Sequence, residues 1–583
     1  MILFRLEKSP VVILLLFSLI AVPVMPLELW LVKSLVDHIQ LWRPSESIVR
    51  ILKAAANLGA LMFINNIALG VPIPMAMTRL MEIGTHEEQR LLMHHNASLP
   101  LAIIESPTAK NQYERAAKVS FSDIYSTGIQ LMQTSLLSIT LIAMILLFGQ
   151  WIPALVVVAV ASLLWHATGK SAESIERTDR SQTGNRRLLR HYADLMTKRE
   201  AAKELRLFGL QPLLASRWVQ LHQQQSRETL LTASKSEVRK LGPSLLMALL
   251  SGLLIALLVL IPHEPELSAG GFSLLFMAFT MLQSQLTSLI SQGASMRTMY
   301  MRWEDYNAYM KQVGIHDIRV TSSESPAQES SSLVAASASV NELDLRVQQL
   351  SFAYPGSEKL AVNDVSFNIP SGCRAALVGH NGSGKSTLVK VLTGLYALSG
   401  GDVVWQHSDG NRSPRAERDH MSAVFQDFTK LAITLRENVA ISELSELNND
   451  SKLSSTLQAV GSNFTDLDEQ IGAAFGGMEP SGGEWQRIVT ARALLRNAKF
   501  VFFDEPTAAL DPAAEKQAFE LFLQVTQGRS ALMVTHRLGA ARLADLILVM
   551  KDGVLVESGS HDELMQLEGE YYQMFELQAS WYR

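Results

Sequence analysis

The chain has 583 residues, a formal net charge of -5 and one cysteine, Cys373. A chain of this length exceeds what one hydrophobic core normally organises, so at least two domains are expected. The single cysteine excludes an intramolecular disulfide framework, and without a Cys/His cluster the sequence gives no support for a structural zinc site.

Long apolar stretches characterise the first 300 residues. Five charge-free segments are each long enough to cross about 30 Å of hydrocarbon as a helix: residues 10–27, 54–77, 124–169, 241–261 and 267–296. The third is about twice the length that one span needs, and Gly149, Gln150 and Pro153 interrupt it where a helical hairpin would turn. The stretch "PHEPE" separates the last two segments as a short loop. The sequence therefore predicts an all-α transmembrane domain of six helices over residues 1–312.

The connections between these segments indicate the orientation of the helices. Residues 80–123 and 170–240 are long and rich in Lys and Arg, whereas the turns near 150 and 264 carry neither. Because basic loops tend to stay in the cytoplasm, we expect both long connections and both chain ends on that side of the plasma membrane. The segment between the first two spans is an exception, because it lies on the predicted outer side and carries four basic residues: Lys33, Arg43, Arg50 and Lys53.

Polar side chains also occur inside the predicted spans. Four hydroxyl side chains of the sixth span recur at helical spacing: Thr280, Ser284, Thr287 and Ser291. This stripe has two interpretations, either the lining of a substrate path or a seam where small residues pack against a neighbouring helix. Asn65 and Asn66 in the second span leave the same choice open.

A segment rich in Ser and Ala separates the apolar half from the rest of the chain. Residues 313–343 include "TSSESPAQESSSLVAASASV", which has the composition of a flexible linker. Beyond it the apolar strands "CRAALVG", "KFVFFDE" and "SALMVTH" alternate with helical stretches, and "LILVMKDGVLVESG" predicts a hairpin that turns at Asp552 and Gly553. Residues 344–583 are therefore predicted to form an α/β domain with a largely parallel core sheet.

The stretch "GHNGSGKST" fits the pattern GxxxxGK[ST] of a phosphate-binding P-loop. It follows the strand "CRAALVG" and precedes a helical stretch, which is the context that this motif needs. Its glycines let backbone N–H groups surround a phosphate, Lys385 reaches the outer phosphates, and Ser386 can ligate Mg²⁺. The domain is thus predicted to be a P-loop NTPase that binds ATP and Mg²⁺ through nine residues: Gly379, His380, Asn381, Gly382, Ser383, Gly384, Lys385, Ser386 and Thr387.

Five further side chains are candidates for nucleotide binding and hydrolysis. Asp504 ends the strand "FVFFD" and can hold Mg²⁺ through water, while Glu505 can orient an attacking water. His536 follows another strand and either contacts the γ-phosphate or is structural. Gln426 can sense Mg²⁺ or the water, and Tyr354 either stacks on adenine or packs on a sheet. The predicted catalytic residues are Lys385, Gln426, Glu505 and His536, and the predicted metal-binding residues are Ser386, Gln426 and Asp504.

The stretch "PSGGEWQR" reads like half of a binding site. Ser481, Gly482 and Gly483 can turn backbone N–H groups toward an anion at a helix start, yet no lysine stands beside them. These residues alone leave open where the rest of the site lies.

The order of these motifs resembles a known family, the ATP-binding cassette (ABC) transporters. The resemblance to their nucleotide-binding domain rests on Tyr354, the P-loop, Gln426, Ser481-Gly482-Gly483, Asp504-Glu505, Asp511 in "PTAALD", and His536. It covers the whole chain, since six spans followed by one such domain look like a half-transporter of the exporter type. The resemblance implies that Asp511 belongs to the nucleotide site and that the SGG motif of one subunit closes over the γ-phosphate held by the P-loop of another. A homodimer with two hydrolysis sites is its simplest form.

The sequence departs from the family pattern in this signature. The family's usual LSGGQ appears as Pro480-Ser481-Gly482-Gly483-Glu484, although Ser481 and Glu484 still predict a capping box. The variant Glu484-Trp485-Gln486 is similar to the branch that exports lantibiotics and other small peptides. The resemblance therefore favours a hydrophobic or amphipathic peptide as cargo, with a lipid or drug exporter, an importer on the same fold, and a membrane ATPase without cargo as alternatives.

Two segments of the long connections look like the family's coupling helices. They are residues 105–116, "ESPTAKNQYERA", and 202–212, "AKELRLFGLQP". Their alternative interpretation is that of amphipathic helices facing solvent. No basic, aromatic-rich patch suggests nucleic acid as a partner.

Overall fold

The computed structural model describes residues 8–43, 48–260, 268–311, 343–407, 410–412, 420–473, 476–505, 520–523 and 525–580. The chain divides into two compact units. The first comprises Met1–Leu99 and Ile104–Arg319, and the second comprises Pro100–Ile103 and Val320–Arg583. The predicted linker at 313–343 lies outside the described residues except for Leu343, so its boundaries stay a prediction.

The N-terminal part of the chain is helical. Its α-helices are α1 (Lys8–Ala21), α2 (Val24–Leu41), α3 (Val49–Ile64), α4 (Pro72–Ser98), α5 (Leu101–Glu105), α6 (Pro107–Ala116), α7 (Phe121–Leu147), α8 (Trp151–Ser181), α9 (Thr183–Thr197), α10 (Arg199–Leu207), α11 (Gln211–Leu260) and α12 (Ala269–Met310). Helices suit a membrane because each one satisfies its own backbone hydrogen bonds where water is absent.

The described residues contain five stretches that are long and apolar enough to cross a membrane. They are Ser9–Leu41, Val49–Ser98, Phe121–Leu147, Trp151–Ser181 and Ala269–Met310. Five of the six predicted spans fall in these stretches, and the predicted hairpin turns at Gly149 with φ +74°. The predicted span at 241–261 coincides with the end of α11, which is helical to Leu260, while the predicted "PHEPE" loop lies outside the described residues.

The first two predicted spans differ from the observed helices. The apolar stretch that begins at Ser9 continues to Leu41. Lys33 therefore lies inside α2, although the sequence had placed it in a loop. Its ammonium pairs with the Asp37 carboxylate one turn away, at 3.0 Å, and this pairing lowers the cost of placing a charge there.

In the second predicted span a π-helical turn, Asn65–Leu69, separates α3 from α4. A Cβ atom on Gly70 would lie 2.2 Å from the Asn66 carbonyl oxygen, so only glycine fits after this turn. Asn65 and Asn66 therefore belong to an irregular turn and not to a regular helix face, which neither interpretation of this pair anticipated.

Helix α12 is central to the first unit and packs against α2, α7 and α8. One face of it is buried, with Leu274, Ala278, Leu282, Leu286 and Ile290 spaced one turn apart. The hydroxyl stripe lies on another face, because Thr280, Ser284, Thr287 and Ser291 are all exposed. Within one chain the stripe is thus not a packing seam among the helices that the structure describes.

The two segments that resemble coupling helices are largely helical, as α6 and α10. Arg190 of α9 lies 3.3 Å from Glu114 of α6, and Arg187 donates to the Pro107 carbonyl, so α6 is tied to the helix that precedes α10. A coupling role for these segments stays a prediction.

The second unit contains two sheets. Its strands are β1 (Asp344–Ala353), β2 (Leu360–Ile369), β3 (Arg374–Val378), β4 (Gly400–His407), β5 (Gly410–Arg412), β6 (Met421–Val424), β7 (Phe500–Asp504), β8 (Ser530–Val534), β9 (Leu546–Lys551) and β10 (Val554–Gly559). Its α-helices are α13 (Lys385–Leu392), α14 (Leu435–Ala440), α15 (Asp450–Ala459), α16 (Gly482–Leu495), α17 (Leu538–Ala541), α18 (His561–Gln566) and α19 (Glu570–Ser580).

The larger sheet has the order β10-β9-β3-β8-β7-β6 and confirms the predicted core. The predicted strands form β3, β7 and β8, which lie side by side and pair in parallel with β9 and β6. Among the described strands of this sheet only β10 runs antiparallel, through the predicted hairpin at Asp552 and Gly553, whose φ angles are 50° and 85°. Because parallel strands end at one edge, the residues that follow β3, β6, β7 and β8 are brought together there.

The smaller sheet, with the order β2-β1-β4-β5, is antiparallel and was not predicted. Its core-facing side packs on the larger sheet. Trp405 of β4 is fully buried and meets the Phe500 ring edge-on at 4.9 Å. One hydrophobic cluster thus joins both sheets beneath the nucleotide motifs.

Candidate nucleotide site

The P-loop lies between β3 and the first turn of α13, as its sequence predicts. A Cβ atom on Gly379 would lie 2.1 Å from the Met550 carbonyl oxygen, and one on Gly384 would lie 2.4 Å from that of Ala361. Both glycines also have positive φ, at 150° and 98°. These two positions therefore require glycine, and the loop backbone is held closely against β9 and β2.

Lys385 lies at the centre of this loop. Its side chain is buried, and its ammonium donates to the carbonyls of Gly379 and His380 at 2.9 and 3.0 Å. Burial lowers the pKa of Lys385, while the nearby carboxylates of Glu505 and Asp504 act in the opposite direction. The structure thus holds a cation where the loop would surround a phosphate.

Three features of the loop fit a bound phosphate. The two glycines allow close approach of the backbone, and Lys385 supplies a positive charge. The Ser383 hydroxyl oxygen is buried and has no hydrogen-bond partner among the described residues, so it is available to a ligand. These groups together match the needs of the outer phosphates of ATP.

Ser386 and Asp504 are brought together as predicted. The Ser386 hydroxyl donates to Asp504 Oδ1 at 3.1 Å. Asp504 is buried, and burial raises the pKa of its carboxyl group, which Ser386 partly offsets. A hydroxyl beside a buried carboxylate is a set of hard oxygen ligands, so these residues fit Mg²⁺.

Glu505 lies at the centre of a second group of side chains. Gln426 Nε2 donates to Glu505 Oε2 at 2.9 Å, and His536 Nδ1 lies 3.8 Å from Glu505 Oε1. These residues follow β6, β7 and β8, so the parallel sheet explains their meeting. Glu505 has a φ of 48°, and its N–H donates to the Val534 carbonyl at 3.0 Å, which holds this strained conformation.

Tyr354 lies beside the P-loop helix. Its hydroxyl group shares a hydrogen bond with Thr387 at 3.0 Å, and its ring meets Phe352 and Tyr396 edge-on at 5.2 and 5.5 Å. The ring therefore packs on its neighbours and also lines the cleft above the loop, and its stacking on adenine stays a prediction.

The cleft above the loop has a volume of about 750 Å³ and brings half of the predicted site residues together. Its lining includes Tyr354, Asn381, Gly382, Gly384, Lys385, Ser386, Thr387, Gln426 and Glu505. It also includes Lys359, Ala361, Asp552 and Gly553, which sequence reasoning missed as site residues. No motif marks these four, although the predicted hairpin turn contains two of them.

Ser481, Gly482 and Gly483 are not among the described residues that line this cleft. Ser481 caps α16, and the predicted capping box with Glu484 is present. The Ser481 N–H donates to Glu484 Oε2 at 2.7 Å, and this bond lowers the pKa of the Glu484 carboxyl group. A Cβ atom added to either glycine would meet nothing within 4 Å, so the space beside both residues is open. Asp511 lies outside the described residues.

Comparisons with known proteins agree with this geometry. Residues 362–508 match the family model described as ABC transporter. The subtilin transport ATP-binding protein SpaT of Bacillus subtilis is 27% identical over 490 residues, which cover 82% of this chain and 77% of that protein. The nisin transport ATP-binding protein NisT of Lactococcus lactis subsp. lactis is 39% identical over 237 residues, which cover 39% of each protein.

Two further comparisons concern a flippase and a solved structure. An ATP-dependent lipid A-core flippase of Pseudomonas fluorescens is 36% identical over 233 residues, which cover 39% of this chain and 38% of the flippase. The structure of a bacterial Atm1-family ABC exporter with ATP bound has a TM-score of 0.71 at 20% identity and covers 99% of this chain and 98% of its own. The fold is therefore that of an ABC exporter.

Proposed function

This chain carries an ABC transporter domain after a helical membrane region, in the fold of an ABC exporter, and we propose that two copies of it form an exporter driven by ATP. The observation that supports a dimer is that the two halves of the nucleotide site are separated within one chain. Lys385, Ser386 and Glu505 gather around the cleft, whereas the exposed Ser481 at the start of α16 is not among its lining residues. A second copy, placed so that its Ser481 faces this cleft, completes each site.

The site residues then have distinct roles in hydrolysis. Lys385 and the loop N–H groups bind the outer phosphates and balance their charge. Ser386 and Asp504 would hold Mg²⁺, which would add positive charge to balance that of the phosphates. The Glu505 carboxylate accepts a hydrogen bond from the attacking water, and the hydrogen bond from Gln426 fixes the direction of that carboxylate. His536, 3.8 Å from Glu505, contacts the γ-phosphate.

Replacement of Glu505 by glutamine tests this role. Glu505→Gln keeps the shape of the side chain but removes its negative charge, so we expect ATP hydrolysis to fall by about a hundredfold or more while ATP stays bound. Glu568→Gln is a matched control, because Glu568 is exposed and also has a positive φ, at 52° against 48° for Glu505. A Glu505→Gln variant that hydrolyses ATP at the wild-type rate would contradict the assignment.

A hydrophobic or amphipathic peptide of the lantibiotic kind is the cargo that we propose. The similarity to the subtilin transport protein extends over 490 residues and so includes much of the membrane region. The similarity to the lipid A-core flippase extends over only 233 residues, about the length of the ABC domain alone. Since cargo contacts the membrane helices, the longer similarity carries more weight for substrate. The exposed hydroxyl stripe of α12 supplies polar groups that can face such a peptide.

Transport into vesicles tests the cargo and the direction together. Inside-out plasma-membrane vesicles that contain the wild-type protein are expected to accumulate labelled amphipathic peptides when ATP is added. Vesicles with Glu505→Gln serve as the inactive control and should accumulate none. Hydrolysis without peptide uptake would favour a lipid or drug exporter, an importer, or an ATPase without cargo.

A further inference from the structure

The C-terminal helix α19 contacts the loop that carries His536. The side-chain amide of Gln578 binds this loop at two places. Its Oε1 accepts a hydrogen bond from the Leu538 N–H at 2.9 Å, and its Nε2 donates to the His536 carbonyl oxygen. One side chain therefore holds the backbone on both sides of Arg537.

The helix itself is fixed to the core of its unit. Tyr571 and Met574 are buried in the same hydrophobic cluster as Leu538. At the start of the helix the Tyr571 N–H donates to Glu557 Oε2 at 3.0 Å. Gln578 follows Met574 by four residues, about one helical turn, so both side chains lie on the same face of α19. The position of the Gln578 amide is thus set by packed residues of the same helix.

The opposite end of α19 lies near the P-loop. Glu570 Oε1 is 3.6 Å from His380 Nε2, and Glu570 Oε2 accepts from Lys551 at 2.8 Å. A second cleft, of about 300 Å³, lies between the helix and both loops. Its lining includes Asn381, Glu505, His536, Met574 and Gln578. The helix therefore borders two of the loops that contain predicted nucleotide contacts.

We propose that Gln578 is a positioning residue for His536 in ATP hydrolysis, an inference that rests on the proposed function. His536 lies 3.8 Å from Glu505, and its side chain is 41% exposed, so packing alone constrains it weakly. The direction of its ring depends on the loop backbone that Gln578 holds from two sides. A displacement of about 1 Å in a positioned catalytic group can lower a rate by roughly a hundredfold.

Two substitutions of Gln578 separate the two hydrogen bonds. Gln578→Leu removes both bonds, whereas Gln578→Glu keeps an acceptor for Leu538 and removes the donor to the His536 carbonyl. Gln573→Leu and Gln573→Glu are matched controls, because Gln573 is exposed on the same helix. The full-length proteins are purified in lipid nanodiscs, and kcat and KM for ATP are measured together with the melting temperature.

We expect both Gln578 variants to lower kcat by roughly ten- to a hundredfold with a KM within about twofold of wild type, and both Gln573 variants to match the wild type. If Gln578→Leu unfolds, Gln578→Glu supplies the same test. Wild-type kinetics in the folded Gln578 variants would overturn the inference, and so would a rise in KM with kcat unchanged. A wild-type protein without ATPase activity would instead overturn the proposed function, so the two failures are distinguishable.

Discussion

Two serines of the second unit cap helices in nearly the same way, and they allow a direct test of the signature motif. Ser481 Oγ accepts from the Glu484 N–H at 3.3 Å, and Ser560 Oγ accepts from the Glu563 N–H at 3.4 Å. Both glutamates return a bond to the serine N–H, at 2.7 and 2.8 Å. Substitution of either serine by alanine removes one cap while leaving the rest of its helix unchanged.

The expected loss of stability is the same for both substitutions. Removing a serine cap costs about 1 kcal/mol of folding free energy, and a domain of 150–250 residues then melts about 2–4 °C lower. The expected loss of activity differs, because only Ser481 is proposed to contact the γ-phosphate of a second subunit. Loss of one hydrogen-bond donor to a developing charge lowers hydrolysis by about a hundredfold.

Thermal unfolding and ATP hydrolysis of the full-length variants, each purified in detergent, measure these two effects separately. We expect Ser481→Ala and Ser560→Ala to melt at similar temperatures, with hydrolysis lost only in Ser481→Ala. Equal hydrolysis rates in the two variants would refute the reasoning, since the motif would then act through helix stability alone.

Two further predictions concern the P-loop and its metal ligands. Burial raises the pKa of Asp504 above its ordinary value of 3.8, so the folded protein favours the protonated carboxyl group. The contribution of Asp504 to the free energy of unfolding is therefore fully present at low pH and is lost as pH rises through the folded-state pKa. Asp504→Asn should therefore raise the melting temperature of the nucleotide-free protein near neutral pH, and this gain should shrink as pH falls toward 3.8; an equal gain at every pH would contradict the burial argument. Gly384→Ala should destabilise the protein more than Gly356→Ala and abolish ATP binding, because both glycines have positive φ but only Gly384 has a carbonyl, that of Ala361, within 2.4 Å of the added Cβ. Gly356→Ala should lower the free energy of unfolding by only the roughly 1–2 kcal/mol that a left-handed backbone costs alanine, as measured by thermal unfolding. Similar losses of stability in both variants would argue against a clash between the added Cβ atom and the Ala361 carbonyl.

Most of the nucleotide site could be predicted because its residues end apolar strands. Glu505 and His536 each follow a run of buried residues, and parallel strands necessarily end at one edge of a sheet. The glycines of the P-loop could also be predicted from the motif. The loop lies so close to the Met550 and Ala361 carbonyls that a side chain does not fit at Gly379 or Gly384. The short stretches around these residues therefore suffice to predict them, and the fold brings the strand ends together.

Contacts between distant segments could not be predicted in the same way. Gln578 looks like any polar residue near a chain end, and its bonds to the His536 loop arise only after α19 packs through Tyr571. Glu28 ended the predicted first span and so placed Lys33 in a loop, because a charge count does not recognise that Asp37 pairs with Lys33 one turn later. The π-helical turn at Asn65 likewise depends on backbone geometry that residue spacing does not encode.

In the dimer proposed above, the exposed position of Ser481, apart from the cleft of its own chain, would affect how defective copies of this protein behave when they are mixed. In a dimer of a Lys385-deficient chain and a Ser481-deficient chain, one site contains both the defective P-loop and the defective signature motif. The other site combines the intact P-loop of one copy with the intact signature of its partner. With this arrangement, a cell that makes both defective chains would keep one complete site per mixed dimer, whereas two chains with the same defect would keep none.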